Sequence, residues 1–282
     1  MEQISSLLAA AAVGGFAITA VAGKFMIPAL HRLHFGQTIR EEGPTWHSKK
    51  NGTPTMGGLC FILGILATLG IVWVMYSPKL PEVLGMPQLQ AGMLVLFLAF
   101  GSGLIGFLDD FIKVVKHRNL GLTEAQKMIL QIALTFGFMF GLHSLGLLTT
   151  QVQFPIFGLV DMGLLYYPIA FFGIIFLVNA VNLTDGLDGL AILPSALVGI
   201  ALGIFAYVVG RVDYAAYLNF PYVPGAGEVV VVGGALIGAG LGFLWYNAYP
   251  AQVFMGDVGA LALGGALGTM AIITRQELVL FI

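Results

Sequence analysis

Eight apolar runs, each close to the length of a membrane-spanning helix, dominate this sequence. A helix needs about 20 mostly apolar residues to cross the hydrocarbon core of a bilayer. Hydrophobic residues make up 58% of the 282 residues and charged residues only 9%, which is far less charge than a soluble domain carries. The runs lie at residues 7–30, 57–76, 91–108, 127–148, 164–182, 189–209, 229–246 and 258–274. The sequence therefore predicts an all-α integral membrane protein, a polytopic bundle of about eight transmembrane helices.

Charge and cysteine content exclude several other classes. The formal net charge is -2, and the 12 basic residues are spread along the chain without forming a basic face, so we expect no nucleic-acid partner. The single cysteine, Cys60, lies inside an apolar run, which excludes a disulfide framework within the chain and a thiolate zinc cluster. The first run, from Leu7, is too long for the core of a signal peptide and is interpreted as a retained first span.

Basic residues are distributed unequally over the two sides of the predicted bundle. Short cytoplasmic loops are enriched in Lys and Arg, whereas translocated loops are not. If residue 1 lies outside, Lys79, Arg211 and Arg275 fall outside, and eight basic residues fall inside. The eight are Arg32, Arg40, Lys49, Lys50, Lys113, Lys116, Arg118 and Lys127. The N-terminus is therefore expected outside the membrane.

The segment 149–163, between the fourth and fifth runs, contains no Lys or Arg and has a short alternating pattern of apolar residues. Alternation with a period of two is typical of a strand with one buried face. We expect a small surface strand or hairpin here.

Five aspartates collect at one membrane edge when they are placed on this topology. Asp109 and Asp110 end the third run, Asp185 and Asp188 lie in the turn between the fifth and sixth runs, and Asp257 begins the eighth. All five fall on the predicted cytoplasmic side. Ionisable groups at membrane level are costly and mark pathways or reaction sites. Solvated loop acids would explain any one of them, but five in three separate turns favour a shared site.

Adjacent carboxylates repel each other unless a proton or a cation lies between them. A divalent cation would relieve the repulsion between Asp109 and Asp110. Mg2+ is suited to this role because it prefers oxygen ligands and is commonly held by one or two carboxylates together with substrate phosphates. The five histidines show no paired spacing that would indicate zinc. The expected cofactor is therefore Mg2+.

Two polar segments extend this candidate site. Residues 182–189 read Asn-Leu-Thr-Asp-Gly-Leu-Asp-Gly, in which glycines allow the backbone to approach a ligand closely. Lys49 and Lys50 precede Asn51-Gly52-Thr53-Pro54-Thr55-Met56-Gly57-Gly58, a combination of cations and hydroxyls that is suited to a diphosphate. Attraction of the basic loops to anionic lipid headgroups explains the lysines almost as well, and the two interpretations are compatible.

Four motifs in order resemble the phospho-N-acetylmuramoyl-pentapeptide transferase (MraY) family, within the polyprenyl-phosphate N-acetylhexosamine-1-phosphate transferases. They are Lys50 with Thr53 to Gly58, Phe107 to Phe111, Asn179 to Gly189, and Phe254 to Gly259. The resemblance covers essentially the whole chain. It implies transfer of phospho-MurNAc-pentapeptide from UDP-MurNAc-pentapeptide to undecaprenyl phosphate, giving lipid I and UMP in peptidoglycan synthesis. It also implies a bacterial inner-membrane location with the active site facing the cytoplasm, and a homodimer is a further expectation from the family.

The resemblance also implies roles for individual residues. Asp257 is expected to hold Mg2+, Asp109 to deprotonate or orient the lipid phosphate, and Asp110 to tune or contact the site, although these roles could be exchanged. The expected substrate-binding residues are Lys50, Thr55, Lys127, Asn182, Asp185, Asp188, Asn247 and Phe254. The aromatic ring of Phe254 is suited to stacking on uracil.

The resemblance has one departure and leaves two alternatives open. The complete family fold has ten spans and a histidine-rich cytoplasmic motif between the last two, whereas residues 276–282 resemble only the opening of a ninth span. We therefore interpret residues 1–282 as a single polytopic transferase domain, truncated at its C-terminus, and assign the function to the complete protein. The alternatives are a transferase that uses UDP-N-acetylglucosamine and, more distantly, a cation transporter.

Overall fold

The protein is described from a computed structural model that covers residues 2–32, 52–76, 86–116, 120–154 and 157–278. Nine α-helices lie in these ranges, and eight of them are long and apolar enough to cross a membrane. The helices are α1 Glu2–Arg32, α2 Gly58–Tyr76, α3 Met86–Val115, α4 Glu124–Ser144, α5 Tyr166–Thr184, α6 Ile192–Val209, α7 Val212–Leu218, α8 Ala226–Asn247 and α9 Gly256–Ile273. The predicted all-α polytopic membrane fold is confirmed, and only α7 is too short to span.

The third helix differs from its predicted run in one way that matters for the site. The apolar run ends at residue 108, but α3 continues to Val115. Asp109 and Asp110 therefore lie inside the helix rather than at its end. Their carboxylates are fixed by helical backbone, and Lys113 follows them on the same helix face, three and four residues later.

The segment between α4 and α5 forms the expected hairpin. Strands β1 (Gln151–Phe154) and β2 (Gly158–Asp161) pair antiparallel, with Gln151 opposite Asp161. The guanidinium of Arg275, just after α9, donates hydrogen bonds to the carbonyl oxygens of Thr149 and Leu147 at 3.3 and 3.4 Å. The hairpin is thereby attached to the C-terminal end of α9, which is the end remote from Asp257.

Helix α9 is the central element of the bundle. In its apolar window 94% of the residues are buried, compared with 28% in α1 and in α4. It packs mainly against α3 and α5, while α1 packs against α8 on the outside of this core. Because α9 is surrounded, the position of its first turn, which carries Asp257, is set by several other helices.

A short backbone bridge joins the start of α2 to the start of α9. The N–H groups of Gly57 and Gly58 donate to the carbonyl oxygens of Phe254 and Met255, both at 2.9 Å, and the N–H of Phe254 donates to the carbonyl of Pro54 at 2.8 Å. Two segments almost 200 residues apart in the sequence are thus held side by side. This bridge brings the Thr-Pro-Thr-Met-Gly-Gly motif to the aspartate that begins α9.

Candidate active site

Three carboxylates meet where α3 approaches the first turn of α9. Asp109, Asp110 and Asp257 each offer one oxygen, and these oxygens lie within 4.8 Å of one another. Asp109 and Asp110 are fully buried, whereas the side chain of Asp257 is 19% exposed. The group is therefore open to solvent mainly through Asp257.

Two glycines make this approach possible. On α3, a Cβ added to Gly106 would lie 2.2 Å from the carbonyl oxygen of Asp257, so only glycine lets the two backbones come this close. Gly256 has a φ of 74°, in the left-handed region, and a Cβ there would lie 2.5 Å from an oxygen of Asp110. Larger residues at either position would push α3 and α9 apart.

The N-terminus of α9 is capped by side chains from other helices. Asp110 accepts a hydrogen bond from the N–H of Val258 at 3.1 Å, and Asp185, just after α5, accepts one from the N–H of Gly256. Met255, at the N-cap position of α9 itself, makes no side-chain cap hydrogen bond. The free N–H groups and the positive end of the helix dipole favour carboxylates at this point.

Two lysines lie among the three carboxylates. Lys127 Nζ is 2.6 Å from Asp257 Oδ2 and 3.0 Å from Asp109 Oδ2. Lys113 Nζ is 2.5 Å from Asp109 Oδ2 and 3.4 Å from both Asp110 and Asp257. Three carboxylates and two ammonium groups give a formal charge of -1, and both lysine side chains remain about a quarter exposed. Both lysine side chains are thus partly open to solvent.

Lys113 is the residue that sequence reasoning missed as a member of the site. In the sequence, Lys113 stands out only as one of the eight basic residues that indicate the orientation of the protein in the membrane. Its spacing from Asp109 and Asp110, four and three residues on one helix, is the signal that could have identified it.

Asp109 also organises the connection from α3 to α4. Its Oδ1 accepts a hydrogen bond of 2.6 Å from the N–H of Leu122. The next residue, Thr123, begins α4 with a capping box in which its hydroxyl accepts from the N–H of Gln126 and the Gln126 side chain accepts from the N–H of Thr123. Lys127 follows in the first turns of α4, so this local geometry delivers its ammonium group to the carboxylates.

Helix α5 contributes an amide and an acid. Asn182 Nδ2 donates to Asp257 Oδ1 at 3.1 Å, which leaves Oδ2 for the lysines. Asp185 is half-buried, and desolvation, reinforced by the negative charges of Asp257 and Asp110, raises its pKa to about 8. Asp185 is therefore mostly protonated at neutral pH in this arrangement.

Thr55 lies against the same group of residues. It is 4% exposed, and a Cβ on Gly256 would lie 2.9 Å from its hydroxyl oxygen. That oxygen has no hydrogen-bond partner among the described residues. Lys50, the other candidate from this motif, lies outside the described residues.

Three predicted substrate-binding residues are engaged with the backbone of the loops. The amide of Asn247 accepts from the N–H of Gly189 at 3.1 Å and donates to the carbonyl of Val253 at 3.0 Å. Asp188 accepts from the N–H of Ala251 at 3.1 Å. Phe254 is half-buried within the backbone bridge described above. These residues shape the loop before α9, next to the carboxylates.

The donor set fits a hard divalent cation of the kind that Mg2+ represents. The three carboxylates supply only oxygen atoms, come from two packed helices and carry more negative charge than the two lysines neutralise. The buried, unpartnered hydroxyl of Thr55 adds another oxygen nearby. Asp109, Asp110 and Asp257 are the residues that would hold the ion.

Comparison with known protein families identifies the family of this chain. The model for glycosyl transferase family 4 matches residues 92–275, about two-thirds of the chain and a range that includes all three clustered aspartates. The chain belongs to glycosyl transferase family 4. Signature 1 of the phospho-N-acetylmuramoyl-pentapeptide transferases also matches, at residues 50–62. The protein is therefore an MraY-family transferase, and the signature segment is the one that bridges to the loop before Asp257.

Proposed function

We propose that this MraY-family enzyme transfers phospho-MurNAc-pentapeptide from UDP-MurNAc-pentapeptide to undecaprenyl phosphate, producing lipid I and UMP. The observation that carries the proposal is the backbone bridge between the signature segment and the residues before Asp257. It joins the part of the sequence that distinguishes this branch of the family to a cluster of three carboxylates and two lysines. Such a cluster suits phosphoryl transfer, which depends on positioning and on neutralising phosphate charge.

The site faces the cytoplasm of a bacterial inner membrane in this proposal. Along the alternating spans, the C-terminal ends of α1, α3 and α5 and the N-terminal ends of α4 and α9 all fall on one side. This is the side on which Lys and Arg are concentrated, and basic residues mark the cytoplasmic face. A soluble nucleotide donor and a lipid phosphate can meet only at such a membrane surface.

The donor diphosphate is the natural ligand of the two lysines. Lys113 and Lys127 have partly exposed side chains whose ammonium groups contact Asp257, and Lys50 and Thr55 belong to the signature segment, in which Thr55 lies against Gly256. Asn182, Asp185, Asp188, Asn247 and Phe254 line the adjoining loops, where they shape the nucleoside and sugar-phosphate pocket. Phe254 offers its ring to the uracil.

The chemical step is a direct displacement at the phosphorus that carries the sugar. An oxygen of undecaprenyl phosphate forms a new P–O bond there, and the bond to the bridging oxygen breaks as UMP leaves. Phosphate monoesters have a second pKa of about 6, so the acceptor is largely ionised at neutral pH without help from a base. Asp109 is buried and bonded to Leu122 and Lys113, an arrangement that suits orienting the lysines and the acceptor.

Mg2+ bound by Asp257 with Asp109 and Asp110 would neutralise charge on the phosphoryl group as it is transferred. Residues of the chain itself position Asp257 and offset the charge of the cluster. Asn182 fixes the rotamer of Asp257 through Oδ1, and the N-terminus of α9 offsets part of the negative charge of the three acids.

The test measures UMP release by membranes that contain the protein expressed from its complete reading frame. The reactions contain undecaprenyl phosphate, Mg2+ and either UDP-MurNAc-pentapeptide or UDP-N-acetylglucosamine, with Asp257→Asn as the inactive control. Release with the muramoyl donor alone, abolished in the variant, would support the proposal. UMP release with the glucosamine donor alone would be consistent with the family but would overturn the proposed donor. No UMP release with either donor would overturn the proposed reaction.

A further inference from the structure

A pair of amide side chains joins α4 to α5 one helical turn deeper in the bundle than the candidate active site. Asn179 Nδ2 donates to Gln131 Oε1 at 2.7 Å, and Gln131 Nε2 donates to Asn179 Oδ1 at 3.3 Å. Gln131 is 3% exposed and Asn179 is half-buried, so the pair is largely withdrawn from water. Amide side chains are rare between membrane helices, and where they occur they hydrogen-bond from one helix to the next. This pair is therefore a specific connection between α4 and α5.

The orientation of the Asn179 amide is fixed. Its Nδ2 donates a second hydrogen bond, to the carbonyl oxygen of Ile175 one turn earlier on α5, at 2.8 Å. Both of its hydrogens are therefore used. Rotating the amide by 180° would turn Oδ1 toward that carbonyl oxygen and replace an attraction by a repulsion. Asn179 consequently presents one donor and one acceptor to α4 in a single arrangement, which Gln131 matches.

The same two helices supply two of the side chains that hold Asp257, one at each carboxylate oxygen. Lys127, four residues before Gln131 on α4, contacts Asp257 Oδ2 at 2.6 Å, and Asn182, three residues after Asn179 on α5, donates to Oδ1 at 3.1 Å. These spacings correspond to about 6 Å and about 4.5 Å of helix rise. The contacts form a closed loop from Asp257 through α4, the amide pair and α5 back to Asp257.

We infer that Gln131 and Asn179 are positioning residues, which set the separation of α4 and α5 so that Lys127 and Asn182 reach Asp257 together. Neither amide touches the three carboxylates in the contacts described above, so each acts through the helix that carries it. The part of the inference that concerns turnover rests on the proposed function. The structural part, that the pair fixes the two helix ends, does not.

Removing the pair should lower kcat more than it raises KM. Gln131→Leu keeps a side chain of similar size but leaves the Asn179 oxygen without its partner, and the cytoplasmic ends of α4 and α5 gain freedom. A displacement on the ångström scale in positioning groups lowers turnover by about 10- to 100-fold. We expect a kcat reduced at least about tenfold, with the donor KM changed less than about twofold. Thr135→Val, a buried change one turn further along α4, is the matched control and should leave both unchanged.

Exchange of the two residues separates positioning from packing. Gln131→Asn alone shortens one side of the pair and Asn179→Gln alone lengthens the other, so each should lower kcat. The double exchange restores the combined length and should recover most of it, because the reciprocal pair can form again. Two single effects that multiply in the double variant would overturn the inference, since independent residues behave in that way.

A measurement without any substrate decides the structural part. Nitroxide labels at Met128→Cys on α4 and Leu183→Cys on α5, both exposed positions, report the separation of the helix ends in a background with the buried Cys60 changed to Ala. Gln131→Leu should broaden the distance distribution measured by pulsed electron paramagnetic resonance, and Thr135→Val should not. A narrow, unshifted distribution in Gln131→Leu would overturn the inference. Absence of turnover in the unsubstituted protein would overturn only the proposed function and leave this measurement to decide on the pair.

Discussion

The carboxylate of Asp110 accepts a hydrogen bond of 3.1 Å from the backbone N–H of Val258, in the first turn of a helix to which Asp110 does not belong. One side chain of α3 therefore both caps α9 and contributes to the three-carboxylate cluster. The capping bond ties the geometry of the cluster to the register between the two helices. Changing the charge of Asp110 and removing its hydrogen-bond acceptor should consequently have different effects.

Asp110→Asn and Asp110→Ala separate these two roles. Asparagine keeps an acceptor for Val258 and removes the charge, whereas alanine leaves a buried N–H unpaired, which costs about 1–3 kcal/mol. We expect both variants to lose most UMP release and only Asp110→Ala to unfold at a lower temperature than the unsubstituted protein. Thermal unfolding in detergent checks this, and equal unfolding temperatures for the two variants would contradict the capping role.

Lys113→Met and Lys127→Met should each reduce turnover strongly. Each substitution removes one of the two ammonium groups that contact the carboxylates and, in the proposed function, the donor diphosphate. Loss of one preorganised charge in a site of this kind lowers kcat by about 100- to 1,000-fold. The measurement is steady-state UMP release at saturating donor.

Lys116→Met is the control for the lysine variants. Lys116 follows the end of α3 and is exposed to solvent, so its loss should change turnover less than twofold, about the scale of a surface effect. If Lys116→Met were as inactive as Lys113→Met, the effect would come from the general charge of this face of the protein rather than from the cluster.

Most of the membrane fold could be predicted from the sequence because bilayer thickness fixes the length of each apolar run. The eighth run begins near Asp257 and the third ends near Asp109, and alternation of spans puts both on one side of the membrane. Proximity of these acids was therefore a consequence of topology. The run lengths could not show that α3 continues to Val115, since the residues beyond 108 are mixed in polarity and are held helical by their contacts with α9.

The partners of individual polar groups could not be predicted in the same way. Asn247 was expected to line a substrate pocket, and the structure shows its amide bonded to the backbone of Gly189 and Val253. The N–H of Leu122 carries no signal in the sequence, although it holds Asp109 at 2.6 Å. Such contacts depend on side-chain rotamers and on how the loops pack, and residue type alone does not specify either.

Asp185 should make stability depend on pH in a direction opposite to that of a salt-bridged acid. Its pKa is raised from 3.8 to about 8 in the folded protein, mainly by desolvation. Between these two values the folded state binds more protons than the unfolded state, so this group lowers the free energy of unfolding as the pH rises, and its effect is complete above about pH 8. Asp185→Asn removes the group that titrates.

The check on Asp185 is a comparison of unfolding temperatures at pH 5 and pH 8 in the presence of EDTA, which keeps divalent ions away from the neighbouring carboxylates. The unfolding temperature of Asp185→Asn should rise relative to that of the unsubstituted protein as the pH rises from 5 to 8. A difference between the two proteins that stays constant over this range would show that the Asp185 pKa is not raised.

Gly256→Ala should disrupt both the fold and the site. Gly256 has a φ of 74°, and the new Cβ would lie 2.5 Å from Asp110 and 2.9 Å from the hydroxyl of Thr55. Left-handed backbone strain at a non-glycine residue costs about 1–3 kcal/mol, and here the clash also displaces a carboxylate of the cluster. We expect a lower unfolding temperature and a loss of UMP release of at least about tenfold.

Gly203→Ala, within α6, is the matched control because nothing lies within 4 Å of its new Cβ, and it should retain full activity and equal or greater stability. An active, stable Gly256→Ala variant would show that the tight turn before α9 is not required to bring Asp110 and Asp257 together.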